Sequence, residues 1–465
     1  MASRGQTSLA MREERGERGA SSARIAPLYK RLPHGPHRLG RAAVIRHQRA
    51  RIHGAMIEAV DRSGYWGASV KQVIGLAGVS RRSFYEQFAN KQECFLATFD
   101  LLAGRALRQT VEAYLAVDGV LEDRLAAVFG ELTGAAAADP KAARLLVLEA
   151  QTAGAAGTLR QLSAIATCEQ LISRSFAESD PATALPRPIV RGIAGGLHGA
   201  LSSRLREERA APGSHIAGEL LRWTLCFQTP RAARLTERLS ARSAARLREV
   251  FAARRDRPLG PEGAPAGDRE RLLERVLRLV VLEDYRDLSV AQIAEEAGVS
   301  IDGFFELFAD RSDCFLAALD MLGEELLAIA ADGKHAGAGW AQGVRRAIGG
   351  LMVHLAEHPL RARCMGQAAL AAGPEAVQRN LELSQRLARA LSAGAPLPAG
   401  APVPAGEGVL LEGVGGAILH TVRCQAAGGR IELLPALSDH LAYVVLAPFI
   451  GADAALEAVI EEPTG

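Results

Sequence analysis

The sequence predicts an all-α protein, and three observations support this fold class. The composition is rich in alanine with only 5% aromatic residues, and apolar residues recur at helical spacing in many segments of the 465-residue chain. These segments are separated by breaks that contain Gly and Pro. The stretch 65–102 recurs without a gap at 285–322, with 18 of 38 positions identical. The chain therefore contains an internal repeat.

The first copy of this repeat predicts a short helix, a tight turn and a second short helix. Ser69 is an N-cap candidate before an apolar run, and Gly78 can supply the left-handed turn residue. Ser80 can cap the second helix, whose inner stripe is Phe84 and Phe88. This order of elements is typical of a helix-turn-helix, in which the second helix usually enters the major groove of DNA.

The predicted second helix presents polar side chains on the face opposite its two phenylalanines, at about 100° per residue. The outward and flanking positions carry Arg81, Arg82, Ser83, Tyr85 and Glu86. Arginine matches guanine acceptors and phosphate oxygens, and the hydroxyls of Ser and Tyr can contact either. Lys91 begins the next helix, from which it could reach a phosphate. The alternative interpretation is a solvated face of an ordinary helical domain.

The segment AGVSRRSFYEQFANKQECFLATFD resembles the DNA-binding signature of the TetR family of bacterial transcriptional regulators, and the similarity extends over 52–102. This resemblance implies three N-terminal DNA-binding helices followed by a helical ligand pocket and dimer interface. It also implies base-reading roles on the second helix and phosphate contacts around it. The basic residues that precede the helix-turn-helix add Arg49. The predicted DNA-binding residues are Arg49, Ser69, Lys71, Ser80, Arg81, Arg82, Ser83, Tyr85 and Lys91.

The second copy differs from the first in charge. Residues 38–95 contain ten Lys and Arg against four Asp and Glu, a balance of +6, whereas 258–315 contain six against thirteen, a balance of −7. The outward positions of its second helix carry Ile301, Asp302, Gly303, Phe305 and Glu306. Because DNA affinity depends largely on neutralising phosphates, we expect the second copy to keep the fold and to have lost the DNA-binding surface.

The domain organisation follows from the repeat and the breaks. We expect two tandem TetR-like units, each a helix-turn-helix head followed by a helical core. The predicted domains are a disordered basic arm at 1–40, a DNA-binding head at 41–102, a ligand-binding and dimerisation core at 103–230, a connecting helix and Pro/Gly linker at 231–268, a degenerate acidic head at 269–322 and a second core at 323–465. The predicted helices outside the short helix-turn-helix pair are 43–63, 91–117, 120–137, 140–152, 158–178, 187–208, 215–229, 231–255, 408–427 and 431–450.

Composition and motifs argue against several classes of protein. The six cysteines form no CxxC pair, which favours a reduced, cytoplasmic setting. We expect no segment that spans a membrane and no secretion signal. No catalytic constellation is evident, so we expect neither an enzyme nor a cofactor. His354 and His358 lie four residues apart but have no evident third metal ligand. Tyr114, Phe129 and Trp223 could line a ligand cavity, although core packing is the favoured account at each position.

These observations predict a DNA-binding transcriptional regulator, a repressor by preference, that responds to a small effector. The alternative is a small-molecule sensor or protein-interaction module that no longer binds DNA. Small residues recur on 187–208 and 408–427 and allow close helix pairing. The two units could pair within one chain as a pseudo-dimer, or two chains could form a homodimer. We favour two chains, because one basic head would bind only half of a palindromic operator. The operator and the effector cannot be identified from the sequence.

Overall fold

The computed structural model describes residues 41–207, 214–256, 267–283, 285–335, 339–368, 372–396 and 407–460. Within these ranges every regular element is a helix, as predicted. The predicted basic arm at 1–40 lies outside the described residues, as do most of the Pro/Gly linker and the later part of the break at 393–406.

The N-terminal head is formed by α1 (Arg41–Gly67), α2 (Val70–Ala77) and α3 (Arg81–Tyr85). Its helices surround a buried cluster that includes Phe84, Phe88 and Phe95. The first helix was predicted to end at Gly64. The structure instead has a kink there, with φ 64°, and the helical run resumes to Gly67.

The first core begins with α4 (Lys91–Leu115), which leads out of the head. It continues through α5 (Leu121–Ala138), α6 (Pro140–Arg144), α7 (Ala155–Ser179), α8 (Arg187–Arg206), α9 (Ser214–Leu225) and α10 (Ala232–Asp256). The predicted helix 140–152 is composite: α6 is followed by a π-helical turn at Leu145–Glu149 and a 3-10 turn at Gln151–Ala153. A π-helical turn widens the backbone ring and is frequent at functional sites.

The second half repeats this order. Its head comprises α11 (Asp268–Leu282), α12 (Val290–Ala297) and α13 (Ile301–Leu307). Its core comprises α14 (Arg311–His335), α15 (Trp340–Glu357), α16 (Pro359–Arg363), α17 (Pro374–Ser392), α18 (Glu407–Ala427), α19 (Ser438–Ile450) and α20 (Ala452–Ile460). A second π-helical turn, Cys364–Ala368, follows α16 as the first follows α6. Helix α20 was not among the predicted helices.

The two halves cross at their glycine-bearing helices, α8 and α18. A Cβ on Gly199 would lie 2.7 Å from the carbonyl oxygen of Glu412 and 2.8 Å from the Cα of Gly416. A Cβ on Gly416 would lie 2.6 Å from the carbonyl oxygen of Gly195. The backbones therefore approach more closely than any larger residue would allow. The small-residue face considered above for pairing two chains is thus occupied within one chain.

The two predicted core domains, 103–230 and 323–465, share one hydrophobic core. A single buried cluster runs from Tyr114 in the first half to Val459 in the second. The connecting helix α10 contributes to it, because Leu235 and Leu239 are fully buried while Arg242 Nε donates to Asp439 Oδ2 at 2.8 Å. The cores are therefore not independent packing units.

One segment of the described residues is long and apolar enough to span a membrane by length and composition, which the sequence analysis did not expect. The stretch Ile431–Ile450 is 20 residues long with mean hydropathy 1.6, which suffices by length and composition, but 78% of its most apolar window is buried inside the protein. Asp439 within it is paired with Arg345 Nε at 3.0 Å. Burial and an internal ion pair are what a core helix of a folded domain shows.

Candidate nucleic-acid interface

The helix-turn-helix of the N-terminal head is fixed by side-chain caps. Ser69 Oγ accepts from the backbone N of Gln72 at 3.3 Å, and the Gln72 side chain accepts from Ser69 N at 2.8 Å, forming a reciprocal capping box. Gly78 ends α2 in the left-handed conformation, with φ 58°. Arg51 Nη2 donates to the Gly78 carbonyl at 2.9 Å, a contact that the sequence did not predict. Ser69 therefore has a structural role in addition to its predicted phosphate contact.

The reading helix α3 is seated by Phe84 and Phe88, which are 0% and 2% exposed. Ser80 caps it by accepting from Ser83 N at 3.0 Å. The two serine hydroxyls also lie 2.9 Å apart within hydrogen-bonding distance. Both serines predicted to touch DNA thus hold the start of the helix in place.

The outward face of α3 carries two exposed guanidinium groups. Arg82 is 88% exposed as a side chain and pairs with Glu86 at 2.9 Å. An exposed i,i+4 pair of this kind is weak, of order 0.5 kcal/mol, so it leaves Arg82 able to exchange partners. The Arg81 guanidinium lies 5.7 Å from the ring of Tyr85, which is itself 45% exposed. The structure therefore brings Arg81, Arg82 and Tyr85 onto one accessible surface.

The predicted DNA-binding residues around α3 differ in their exposure and in their contacts with other residues. Lys71 is exposed on α2. The exposed Arg49 lies with its guanidinium 5.0 Å from the ring centre of Phe88. Lys91 is half-buried, with its Nζ donating to the Tyr65 carbonyl at 2.9 Å and lying 4.3 Å from the Tyr65 ring. Burial, with a smaller effect of Arg286, lowers the pKa of Lys91. Lys91 thus ties α4 to the end of α1.

A buried histidine distinguishes the packing of this head. His53 Nδ1 lies 2.8 Å from Thr98 Oγ1 between α1 and α4. Burial, aided by the positive charge of Arg49, lowers the pKa of His53 from 6.5 to about 4. The imidazole is therefore neutral at physiological pH. The second head has Leu273 and Ala318 at the corresponding positions.

The head is joined to the first core by polar contacts that the sequence did not reveal. Lys141 at the start of α6 pairs with Glu58 at 2.6 Å and with Asp61 at 3.4 Å. Glu149, in the π-helical turn, accepts from the backbone N of Tyr65 at 2.9 Å. These partners are more than 80 residues apart in the sequence, so no local pattern indicates them. They connect the base of the head with the segment that follows Pro140.

An apolar cavity of about 140 Å³ lies within the first core. Its wall is formed by α4, α5, α7, α8 and α9 and includes Phe129, Ile165 and Ile172. Of the three aromatic residues that the sequence analysis considered for a cavity wall, only Phe129 lines this cavity. The hydroxyl of Tyr114 donates to Glu178 at 2.7 Å. Trp223 instead packs at the crossing of the halves, where its ring would meet a Cβ on Gly196 or Gly413.

The second head repeats the local geometry of the first with a different surface. Ser289 and Gln292 form the same capping box, and Gly298 has φ 63°. Arg311 stacks on Tyr285 at 4.5 Å, as Lys91 does on Tyr65. Its outward helix face exposes Ile301 and Phe305, 51% and 54% accessible, beside two carboxylates. That face offers no guanidinium to a phosphate.

The two heads touch each other. The ring of Trp66, at the end of α1, meets Tyr285 edge-on with centroids 6.5 Å apart. Trp66 also packs against the buried cluster of the second head. Both heads are consequently held side by side on one shared core.

His354 and His358 form part of an ion-pair cluster. His354 Nε2 lies 3.2 Å from Glu325, and Arg361 Nη1 lies 3.0 Å from His358 Nδ1. His358 stands at the junction of α15 and α16, as expected for a residue before Pro359. In the described part of the chain, the group of side chains spaced to hold a metal is a different one, Glu169, His420 and Cys424.

Comparisons with known proteins bear on the first head. Residues 57–98, which lie within this head and the start of α4, match the family model of bacterial regulatory proteins, tetR family. No curated protein matches the chain. The fatty acid degradation regulator FadR from Bacillus halodurans is 18% identical, with 38% of this chain and 96% of that one covered and a TM-score of 0.35. FadR from Bacillus subtilis, solved with stearoyl-CoA, is 15% identical, with 37% and 96% covered and a TM-score of 0.33.

Proposed function

We propose that the chain is a DNA-binding transcriptional repressor built from two TetR-like units paired within one polypeptide. The observation that carries this proposal is the accessible Arg81, Arg82 and Tyr85 surface on the capped reading helix of a tetR-type head. Guanidinium groups on the second helix of a helix-turn-helix can reach guanine edges and phosphates in the major groove. Among the residues that the structure describes, the ion-pair partner on this surface is the exposed Glu86.

In this proposal only the first head reads DNA. The corresponding helix of the second head exposes Ile301, Asp302, Phe305 and Glu306, and like charges would repel a duplex. The glycine-bearing helices are used within the chain, so each polypeptide supplies one pseudo-dimer with one reading head. The second unit then serves as scaffold and as the partner of the first core.

We further propose that the apolar cavity of the first core admits the effector. Its wall is almost wholly apolar, which favours a hydrophobic small molecule. Helix α7 supplies Ile165 and Cys168 to this wall, and on the same helix Gln161 Nε2 donates to the carbonyls of Leu146 and Val147 at 3.0 and 2.9 Å. The π-helical turn that contains these carbonyls also contains Glu149, the acceptor for the backbone of Tyr65 in the head.

This series of contacts suggests how the effector would act. A ligand that favours a displaced α7 would shift the π-helical turn, and through Glu149 and Lys141 it would rotate the head on the core. The coupling is set by the difference in ligand affinity between the two arrangements of the head. Glu149→Gln keeps an acceptor for Tyr65 N, whereas Glu149→Ala removes it, so the pair tests the coupling.

The decisive experiment is capture of genomic DNA fragments from the source genome by the purified full chain, followed by sequencing and footprinting. We expect a short protected site without full two-fold symmetry, because one head reads bases. A long palindrome with both half-sites protected by one chain would contradict the single-head proposal. Failure to enrich any sequence at low salt, with the chain folded, would favour the sensor or interaction module that no longer binds DNA.

A further inference from the structure

A cluster of three side chains crosses the contact between the two halves and is independent of the DNA-reading surface. Glu169 comes from α7 of the first half, and His420 and Cys424 come from one face of α18 in the second half. Glu169 is 5% exposed and His420 is 3% exposed. His420 Nε2 lies 3.4 Å from Cys424 Sγ and 3.5 Å from Glu169 Oε1.

The spacing of these atoms fits a single metal ion. The Sγ, Nε2 and carboxylate oxygen all lie within 4.8 Å of one another. Zinc binds thiolate sulfur at about 2.3 Å and imidazole nitrogen or carboxylate oxygen at about 2.0–2.2 Å, so tetrahedral ligand atoms lie about 3.4–3.6 Å apart. The two measured separations agree with that edge length. The residue types also match, because a mixed S, N and O donor set favours Zn²⁺ over Mg²⁺ or Ca²⁺.

We propose that Glu169, His420 and Cys424 form a zinc-binding site that links the two halves of the chain. The fourth position would be open to water or to a small ligand, because the ring of His420 also lines a cavity of about 230 Å³ between the halves. Three protein ligands with an open fourth position is the arrangement of zinc sites that accept an external ligand.

The fold around the cluster is built to bring the ligands together. A Cβ on Gly195 of α8 would lie 2.5 Å from the Cβ of His420, so only glycine at that position lets α18 approach α8 this closely. Arg191 Nε lies 3.5 Å from Glu169 Oε1. This is the carboxylate oxygen that also faces His420, so with a cation bound to it Arg191 would have to pair with the other carboxylate oxygen, as outer-shell partners commonly do.

The cluster is not a requirement of the fold. When the glycine groups at 192–196 and 413–416 are aligned in the sequence repeat, Gly199 corresponds to His420 and Ser203 corresponds to Cys424. The symmetry-related location therefore lacks both a histidine and a cysteine. The halves cross in the same way on both sides, so packing alone does not demand these donors.

The test uses the untagged full chain, stripped with a chelator and kept reduced, and titrated with Co²⁺ as a spectroscopic substitute for Zn²⁺. We expect one Co²⁺ per chain, with a thiolate-to-cobalt charge-transfer band in the near ultraviolet and visible bands of tetrahedral intensity. Zn²⁺ should displace the cobalt and raise the melting temperature. Cys424→Ser should abolish the charge-transfer band, and Cys226→Ser, the control directly after α9, should retain it.

Glu169→Gln provides a second variant that keeps the side-chain shape. It should weaken Zn²⁺ affinity by about tenfold or more, with an unchanged circular dichroism spectrum in the apo form. The proposal is overturned if the unmodified chain shows no charge-transfer band, or if Cys424→Ser binds Co²⁺ as the control does. Neither readout requires DNA, so failure of the proposed regulator function would leave this result interpretable.

Discussion

The two heads of this chain share a scaffold and differ in their surfaces. In both, a Ser–Gln capping box starts the second helix and a left-handed glycine ends it. In both, the cationic first residue of the long fourth helix also stacks on a buried tyrosine. On the outward helix, however, Arg81 and Arg82 are replaced by Ile301 and Asp302. The comparison shows that buried and capping positions maintain the fold, while the exposed positions can change their charge without altering it.

The largest expected effect would come from removing the basic face of the first head. Arg81→Ala with Arg82→Ala should lower affinity for the captured DNA by on the order of 100-fold, since each guanidinium contact contributes about 1–3 kcal/mol. Fluorescence anisotropy with labelled DNA measures the loss. Asp302→Ala is the matched control and should leave affinity unchanged. Equal losses from both changes would remove the functional distinction between the heads.

The comparison also assumes that both heads are attached to one shared core. A substitution where α8 crosses α18 can test this assumption. Gly199→Ala places a Cβ 2.7 Å from the Glu412 carbonyl, a backbone atom that cannot rotate away. We expect a loss of about 1–3 kcal/mol in the free energy of unfolding, measured by urea denaturation. Gly134→Ala, on exposed α5 with nothing within 4 Å, is the control and should stabilise slightly. Equal behaviour would show that the halves do not meet as described.

The buried His53 predicts a pH dependence of folding stability that the first head has and the second head lacks. The folded pKa of His53, about 4, lies below its unfolded value of 6.5. The unfolded state therefore binds more protons between these values, and stability falls as pH falls through that window. The cost at pH 5 is about 2 kcal/mol.

The variant that tests this dependence copies the second head. His53→Leu with Thr98→Ala reproduces Leu273 and Ala318 and removes the titrating group. Urea denaturation at pH 7 and pH 5 should show a smaller difference in unfolding free energy for this variant than for the unmodified chain. An unchanged difference would assign the pH dependence to other groups.

The smallest expected effect is one that should be the same in both heads. Ser69→Ala and Ser289→Ala each remove a capping box and should each cost about 1 kcal/mol of stability. Thermal unfolding measures both. If Ser69→Ala costs clearly less stability than Ser289→Ala yet weakens DNA binding, the predicted phosphate contact of Ser69 outweighs its role as a cap.

The oligomeric state offers a further check on pairing within the chain. Sedimentation equilibrium should give one species at the chain mass of 49.2 kDa, because the glycine-bearing faces are already occupied. A concentration-dependent dimer that is dissociated by Gly199→Ala would mean that these faces exchange between chains.

The sequence predicted the head well because its signals are local. Caps at Ser69 and Ser80, the turn at Gly78 and the stripe of Phe84 and Phe88 depend on residues within four positions of one another. The same locality failed where the local signal competed with tertiary packing. Gly64 kinks α1 without ending it. The segment after Pro140 divides into α-, π- and 3-10-helical parts, and the side chain of Gln161 donates to backbone carbonyls of the π-helical part.

The sequence by itself determined an all-helical chain, its internal repeat and the opposed charges of its two heads, since periodicity, capping and net charge are all local or additive. Only the tertiary structure decided that the halves pair within one chain, that Lys91 is tied to Tyr65, and that Glu169 meets His420 and Cys424 across 251 residues. The pairing of the halves and the cluster of Glu169, His420 and Cys424 depend on how closely two glycine-bearing helices can approach. That distance is set by the backbone atoms of both helices together, and neither helix specifies it alone.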